Sequence, residues 1–146
     1  MRLKYHREIK DNEIACNLTD FQECEREAFR FVFSDINNPK NYEPVYIINP
    51  KRKTDEIQQE RYHCTGYALS FFHSQLSAKK RYLTLISDKP KLYKILGTHI
   101  AQGVLEHQDG ISDEPNDLGH FSHFEYENRD LSIKFRIVEA IINYND

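Results

Sequence analysis

The side chains with the widest chemical reach in this 146-residue chain are seven histidines and three cysteines. His99, His107, His120 and His123 fall in the C-terminal half with Asp109 and Glu125. Imidazole and carboxylate groups on adjacent strands can hold a divalent ion. The spacing contains no His-Glu-x-x-His and no Cys-rich knuckle, so these histidines are expected to be ordinary core and surface residues, with no metal. Cys16, Cys24 and Cys64 are odd in number and widely spaced, with no Cys-x-x-Cys. A disulfide framework needs pairs and a zinc site needs close-set ligands. The three are therefore expected as reduced, structural thiols of a cytoplasmic protein. A nucleophilic Cys64 beside His63 is the sharper alternative. Sequence neighbours on a strand point to opposite faces, which argues against that pairing.

The elements that must position such residues depend first on what the chain can bury. Hydrophobic residues make up 39% and charged residues 29%, enough for a core and too apolar for global disorder. The length suits one domain spanning 1–146. A net charge of −3 and a pI near 6.2 give no overall field that would draw in nucleic acid or an anionic membrane. No apolar run is long enough to cross a bilayer, and the basic start has no apolar stretch behind it, so no secretion signal is expected. Lys51-Arg52-Lys53 and Lys79-Lys80-Arg81 are short basic clusters, read as solvated surface rather than as a nucleic-acid footprint.

Periodicity then places the elements. Thr19-Asp20-Phe21-Gln22 has capping-box spacing, and Phe21, Cys24, Ala28 and Phe31 recur at helical intervals, which predicts a helix over about 19–34. Val45-Tyr46-Ile47-Ile48, between Pro44 and Pro50, reads as a short strand. Residues 51–61 read as an exposed loop or one surface helical turn. From Arg61 to Ile86 two readings compete. One is a continuous helix; the other, which Gly66, Phe71-Phe72 and the capping Ser74 favour, is a strand from Tyr67 to Phe72 followed by a helix. Lys89 to Leu96 reads as a short helix between Pro90 and Gly97, Thr98 to Leu105 as a strand, and 106–119 as a polar loop. Leu131, Ile133, Phe135 and Ile137 alternate with Ser132, Lys134 and Arg136. That pattern predicts a C-terminal hairpin through Asn128-Arg129, pairing Tyr126 with Leu131, Phe124 with Ile133, Ser122 with Phe135 and His120 with Ile137. It puts His120 on the core face and Phe121, His123, Glu125 and Lys134 on the other. The fold class expected is α+β: an antiparallel or mixed sheet of about five strands with two or three helices.

Gly66-Tyr67-Ala68-Leu69-Ser70-Phe71-Phe72-His73-Ser74, followed by Ala78 and Tyr82, resembles the second strand and following helix of ADP-ribosyltransferase-like domains. Glu125-Tyr126-Glu127 looks like the acidic Glu-x-Glu of that family, and Arg7 corresponds to its early arginine. The matching residues cover about a fifth of the chain, and Glu-x-Glu also occurs twice within 23–27. The resemblance implies NAD as cofactor, with Arg7 on its phosphates and Tyr67, Phe71 and Phe72 walling a nicotinamide pocket. It implies that Ser70 buttresses the ribose and that Glu127, with Glu125 beside it, offsets the oxocarbenium-like charge. The reading from a different class is a non-enzymatic protein-binding module, an adaptor or inhibitor with an aromatic-rich surface. Its support is the nine Phe and nine Tyr of a net acidic, Gly-poor chain.

Overall fold

A computed structural model of the chain describes residues 2–55, 57 and 63–142. Its organising feature is one antiparallel sheet of six strands. They are β1 (Arg26–Val32), β2 (Leu69–Phe72), β3 (His99–Leu105), β4 (Gly110–Ser112), β5 (His120–Glu125) and β6 (Arg136–Ala140), in the order β4-β5-β2-β1-β3-β6. Four α-helical segments accompany them among the described residues: α1 (His6–Asp11), α2 (Val45–Ile48), α3 (Gln75–Asp88) and α4 (Tyr93–Leu96). The expected α+β class is the observed one, with one strand more than the sequence suggests.

The division of 66–86 into strand and helix is as expected, and Ser74 opens α3 by accepting the Ser77 amide at 3.1 Å. Ala78 and Tyr82 are buried against the sheet, Ala78 among Phe29, Phe72 and Ile100 and Tyr82 edge-on to Phe31 at 5.2 Å. The opposite sheet face buries Ala28, Val32, Leu69, Phe71, Ala101, Leu105 and Phe121 under Leu131 and Phe135. A third cluster, around Tyr46, Tyr67 and Phe124, is closed by Leu3, Tyr5, Ile9, Leu18 and Phe21 from the N-terminal segment. Gly97 ends α4 with φ +85°, and an added Cβ there would lie 2.1 Å from the Val32 carbonyl oxygen, so both conformation and space require glycine.

Four expectations are corrected. The helix predicted over 19–34 is instead an irregular segment followed by strand β1, which lies inside the sheet between β2 and β3. The run Phe29-Arg30-Phe31-Val32 is aromatic and β-branched, and both its faces are covered, which suits a central strand. Thr19 caps nothing: its hydroxyl donates to the Asn17 side chain at 2.6 Å. The strand predicted at Val45–Ile48 is a single helical turn, in which the Ile47 and Ile48 amides donate to the Pro44 carbonyl. Pro44 and Pro50 at its two ends leave little backbone for a ladder, whereas the turn sinks Tyr46 onto the backbone at Gly66. Of the span 51–61, expected as a loop or one helical turn, the first residues lie in a 3₁₀ turn at Pro50–Thr54, and 56 and 58–61 lie outside the described residues.

The C-terminal hairpin does not form, which is the third correction. β5 is already paired on both edges, with β2 and β4, and a strand has only two edges. Asp130 accepts the Ser132 amide and winds Leu131–Ile133 into a 3₁₀ turn, leaving Ile133 82% exposed. β6 pairs with β3 instead, Ile137 opposite Ala101. The face assignment falls with the register: Phe121, His123 and Glu125 are buried, while His120 is only half-buried. The loop 106–119 also contains β4, which the sequence does not reveal. Fourth, the thiols are not all reduced, because Cys16 and Cys64 are joined in a disulfide and Cys24 alone is free. Forty-eight residues separate the bonded pair, and only the packing of the N-terminal segment onto the Tyr46–Tyr67 cluster brings them together.

Candidate functional site

The residues expected to carry chemistry fall into two groups. The N-terminal segment runs antiparallel to the end of β5: Lys4 N–H donates to the Glu125 carbonyl, Glu127 N–H to the Arg2 carbonyl, and Leu3 bridges Tyr126. This seats α1 beside Glu125-Tyr126-Glu127. Lys4 Nζ lies 3.3 Å from Glu125 Oε2 and His6 Nε2 lies 3.6 Å from Glu127 Oε2. Arg7 follows His6 on α1 and is exposed. Tyr67 reaches the same end, stacked on Tyr5 with centroids 5.8 Å apart and meeting Tyr46 edge-on at 5.3 Å.

The β2 residues form the second group and do not share a wall. Phe71 and Phe72 point to opposite sheet faces, as successive strand residues must. Phe71 is stacked between Phe121 and Phe135 at 5.8 and 5.5 Å, and Phe72 meets Phe31 and His120 on the α3 face. The two are 0% and 4% exposed and Tyr67 is 2% exposed, so all three aromatics are committed to the core. Ser70 is exposed opposite Ser122, and its carbonyl accepts from Arg30 at 2.8 Å.

The most elaborate polar arrangement is one the sequence reading missed. On the face opposite α3, Asp109 is fully buried. Its Oδ1 accepts from Arg129 Nε and Nη2 at 3.1 and 2.9 Å, and its Oδ2 accepts from Lys134 Nζ and from the Glu106 amide. Burial pushes the Asp109 carboxyl up, but Lys134, the Glu106 amide and Arg129 outweigh it and hold the group below its ordinary range. Beside it His123 Nδ1 lies 2.7 Å from Ser112 Oγ. Burial lowers the His123 imidazole to about 4, which keeps it neutral at physiological pH. An added Cβ at Gly110 would lie 2.8 Å from His123 Nε2, so the missing side chain makes room for the ring. Burial also raises Glu125, against the opposing pull of Lys4.

Aspartate, histidine and serine are the residue types of a nucleophilic triad. Here, however, Ser112 is 2% and His123 1% exposed, and the Asp109 oxygens are held by three other donors. The cluster ties β4, β5 and the 129–134 segment together; no substrate reaches the hydroxyl. Nothing in the spacing of Asp109, Ser112, Arg129 and Lys134 signals the arrangement, because it arises from the packing of one loop over the sheet. The remaining histidines are scattered, with His99 against Thr98 and His107 exposed. Among the described residues no three His, Cys, Asp or Glu side chains gather where a metal ion could sit, and no helix is long and apolar enough to cross a membrane.

Large apolar side chains that remain outside the core include Leu76 and Leu83 on α3 and Ile95 on α4, at 62%, 46% and 64% exposure. No protein-family model matches the chain, and searches of curated proteins and of solved structures likewise find no match.

Proposed function

We propose that the protein is a non-enzymatic binding module, of the adaptor or inhibitor kind, that contacts another protein through an apolar surface. The observation that carries this reading is the division of its large side chains. The aromatic residues that would wall a nicotinamide pocket are closed inside the core, whereas leucine and isoleucine side chains stand open on α3 and α4. NAD-dependent ADP-ribosyl transfer is the second reading. It is favoured by the Glu125 and Glu127 carboxylates lying beside Lys4 and His6 of the N-terminal segment. Calorimetric titration with NAD at about millimolar concentration separates the two, since a dissociation constant near 1 mM corresponds to only about −4 kcal/mol and is still visible there. The module reading expects no heat. Binding heat that disappears in the Arg7→Ala, Glu127→Gln double variant would reverse the order of the two readings.

A cytoplasmic setting was expected from unpaired thiols. The Cys16–Cys64 bond removes that ground, and we place the module in an oxidising compartment, where such a bond persists.

A further inference from the structure

Charge is distributed very unevenly along this chain. Between Gln75 and Leu96 stand six basic residues, Lys79, Lys80, Arg81, Lys89, Lys91 and Lys94, against Asp88 alone. That stretch therefore carries +5, and the rest of a chain with total charge −3 carries −8. The same stretch holds Leu76, Leu83 and Ile95, all exposed. We infer that α3 and α4 form the docking surface of the module, and that the partner is a protein presenting an apolar groove edged with carboxylates. This rests on the binding-module reading.

Helical geometry supports the assignment. Residues seven apart lie on one stripe, about 10 Å apart along the axis, so Leu76 and Leu83 are two anchors on one line. Ala78 and Tyr82 occupy the opposite side and lock α3 to the sheet, and the Tyr82 hydroxyl donates to the Gly97 carbonyl at 2.7 Å. The anchors are thus held on a fixed helix, which keeps the entropy cost of binding low. Lys79 and Lys80 flank the line. Lys79 is tied to Glu139 at 2.8 Å, and Lys80 is exposed and free to meet a carboxylate. A basic helix with exposed leucines can also lie on an anionic bilayer, but that requires a broad apolar face. Here Lys80, Thr84 and Ser87 interrupt the crest, leaving two leucines over four turns. A narrow anchor line with cationic flanks suits helix-in-groove recognition by an acidic protein.

The probe is a labelled helical peptide of about three heptads, with Leu at the core positions and Glu elsewhere; its twin carries Lys in place of Glu. Fluorescence anisotropy on the intact, oxidised protein should show the Glu peptide bound at least about ten-fold more tightly than its twin. The Leu76→Ser, Leu83→Ser double variant should lose about ten-fold or more, Lys80→Glu a similar amount, and Ile133→Ser nothing. Equal binding of both peptides, no binding of either, or binding that survives the double leucine variant overturns the proposal. Two further arms do the same. One is leucine-dependent binding to phosphatidylcholine vesicles with about 30% phosphatidylserine but not to peptide, which would make the target a membrane. The other is sedimentation showing self-association lost in the double variant, which would make the occupant a second copy. Failure of the peptide assay with no NAD heat removes only this surface; NAD heat abolished by Arg7→Ala and Glu127→Gln removes the module reading itself.

Discussion

Truncation of Lys134 to alanine strands the buried Asp109 carboxylate without its nearest ammonium. Read from alternation, Lys134 sits on a solvent face, and truncating it to alanine should cost under about 0.5 kcal/mol. In the fold its ammonium bonds both Glu106 and the buried Asp109, and its side chain is only 18% exposed. Removing one partner of a buried ion pair costs about 3–5 kcal/mol when the other charge is stranded. Asp109 keeps Arg129 and the Glu106 amide, so Lys134→Ala is expected below that range, at about 2–3 kcal/mol. The Lys134–Glu106 contact is exposed to solvent and screened, so the loss is assigned to Asp109. Urea denaturation with linear extrapolation measures the loss, and an unchanged slope shows that the unfolded state is not the cause. A double-mutant cycle with Asp109→Asn should return a coupling of about 1–3 kcal/mol. Phe135, stacked on Phe71 and tilted against Tyr42, serves as the internal standard: Phe135→Ala should cost about 3–5 kcal/mol. A Lys134→Ala loss within about 0.5 kcal/mol, alongside the full Phe135 loss, would refute the burial of the Asp109 network.

Two further outcomes follow from the same packing. His123 is lowered by burial to about 4 from an ordinary 6.5, so below 6.5 the unfolded chain takes up a proton that the folded chain refuses. Stability should therefore fall between about pH 6.5 and 4, by on the order of 3 kcal/mol. Glu125, raised by burial, acts in the opposite sense toward the acid end; comparison with His123→Gln, which retains Glu125, isolates the histidine, and parallel pH profiles would count against it. The Cys16–Cys64 bond closes a span of 48 residues, for which loop-closure entropy predicts up to about 4 kcal/mol and common experience about 2–4. Cys16→Ser should lose that amount and Cys24→Ser about 1 kcal/mol or less; equal losses in denaturation would show that the bond does not constrain the unfolded chain.

What the sequence determined by itself is confined to elements whose signals are local. Ser74 starts α3 because its hydroxyl satisfies an amide three residues on. Gly97 ends α4 because only glycine takes that backbone angle cheaply. The split of strand and helix at Phe72–Ser74 and the strand from His99 follow from side-chain type and spacing over a few residues. The tertiary structure decided everything that depends on which edge or face is still free. Phe21, Cys24, Ala28 and Phe31 satisfy a helical period, but a central strand buries Phe29 and Phe31 on one side and Ala28 and Val32 on the other. Tyr126 and Leu131 alternate like the arms of a hairpin, yet β2 and β4 had filled both edges of β5 and β3 offered the vacant one. The expected site residues were legible as types only. Arg7, Glu125 and Glu127 reach one end of the sheet through the Leu3–Tyr126 bridge, while Phe71 and Phe72 diverge because a strand turns consecutive side chains to opposite faces. The Asp109–Lys134 network and the Cys16–Cys64 bond join residues far apart in the chain, and the packing energy that brings them together has no period for a sequence to display.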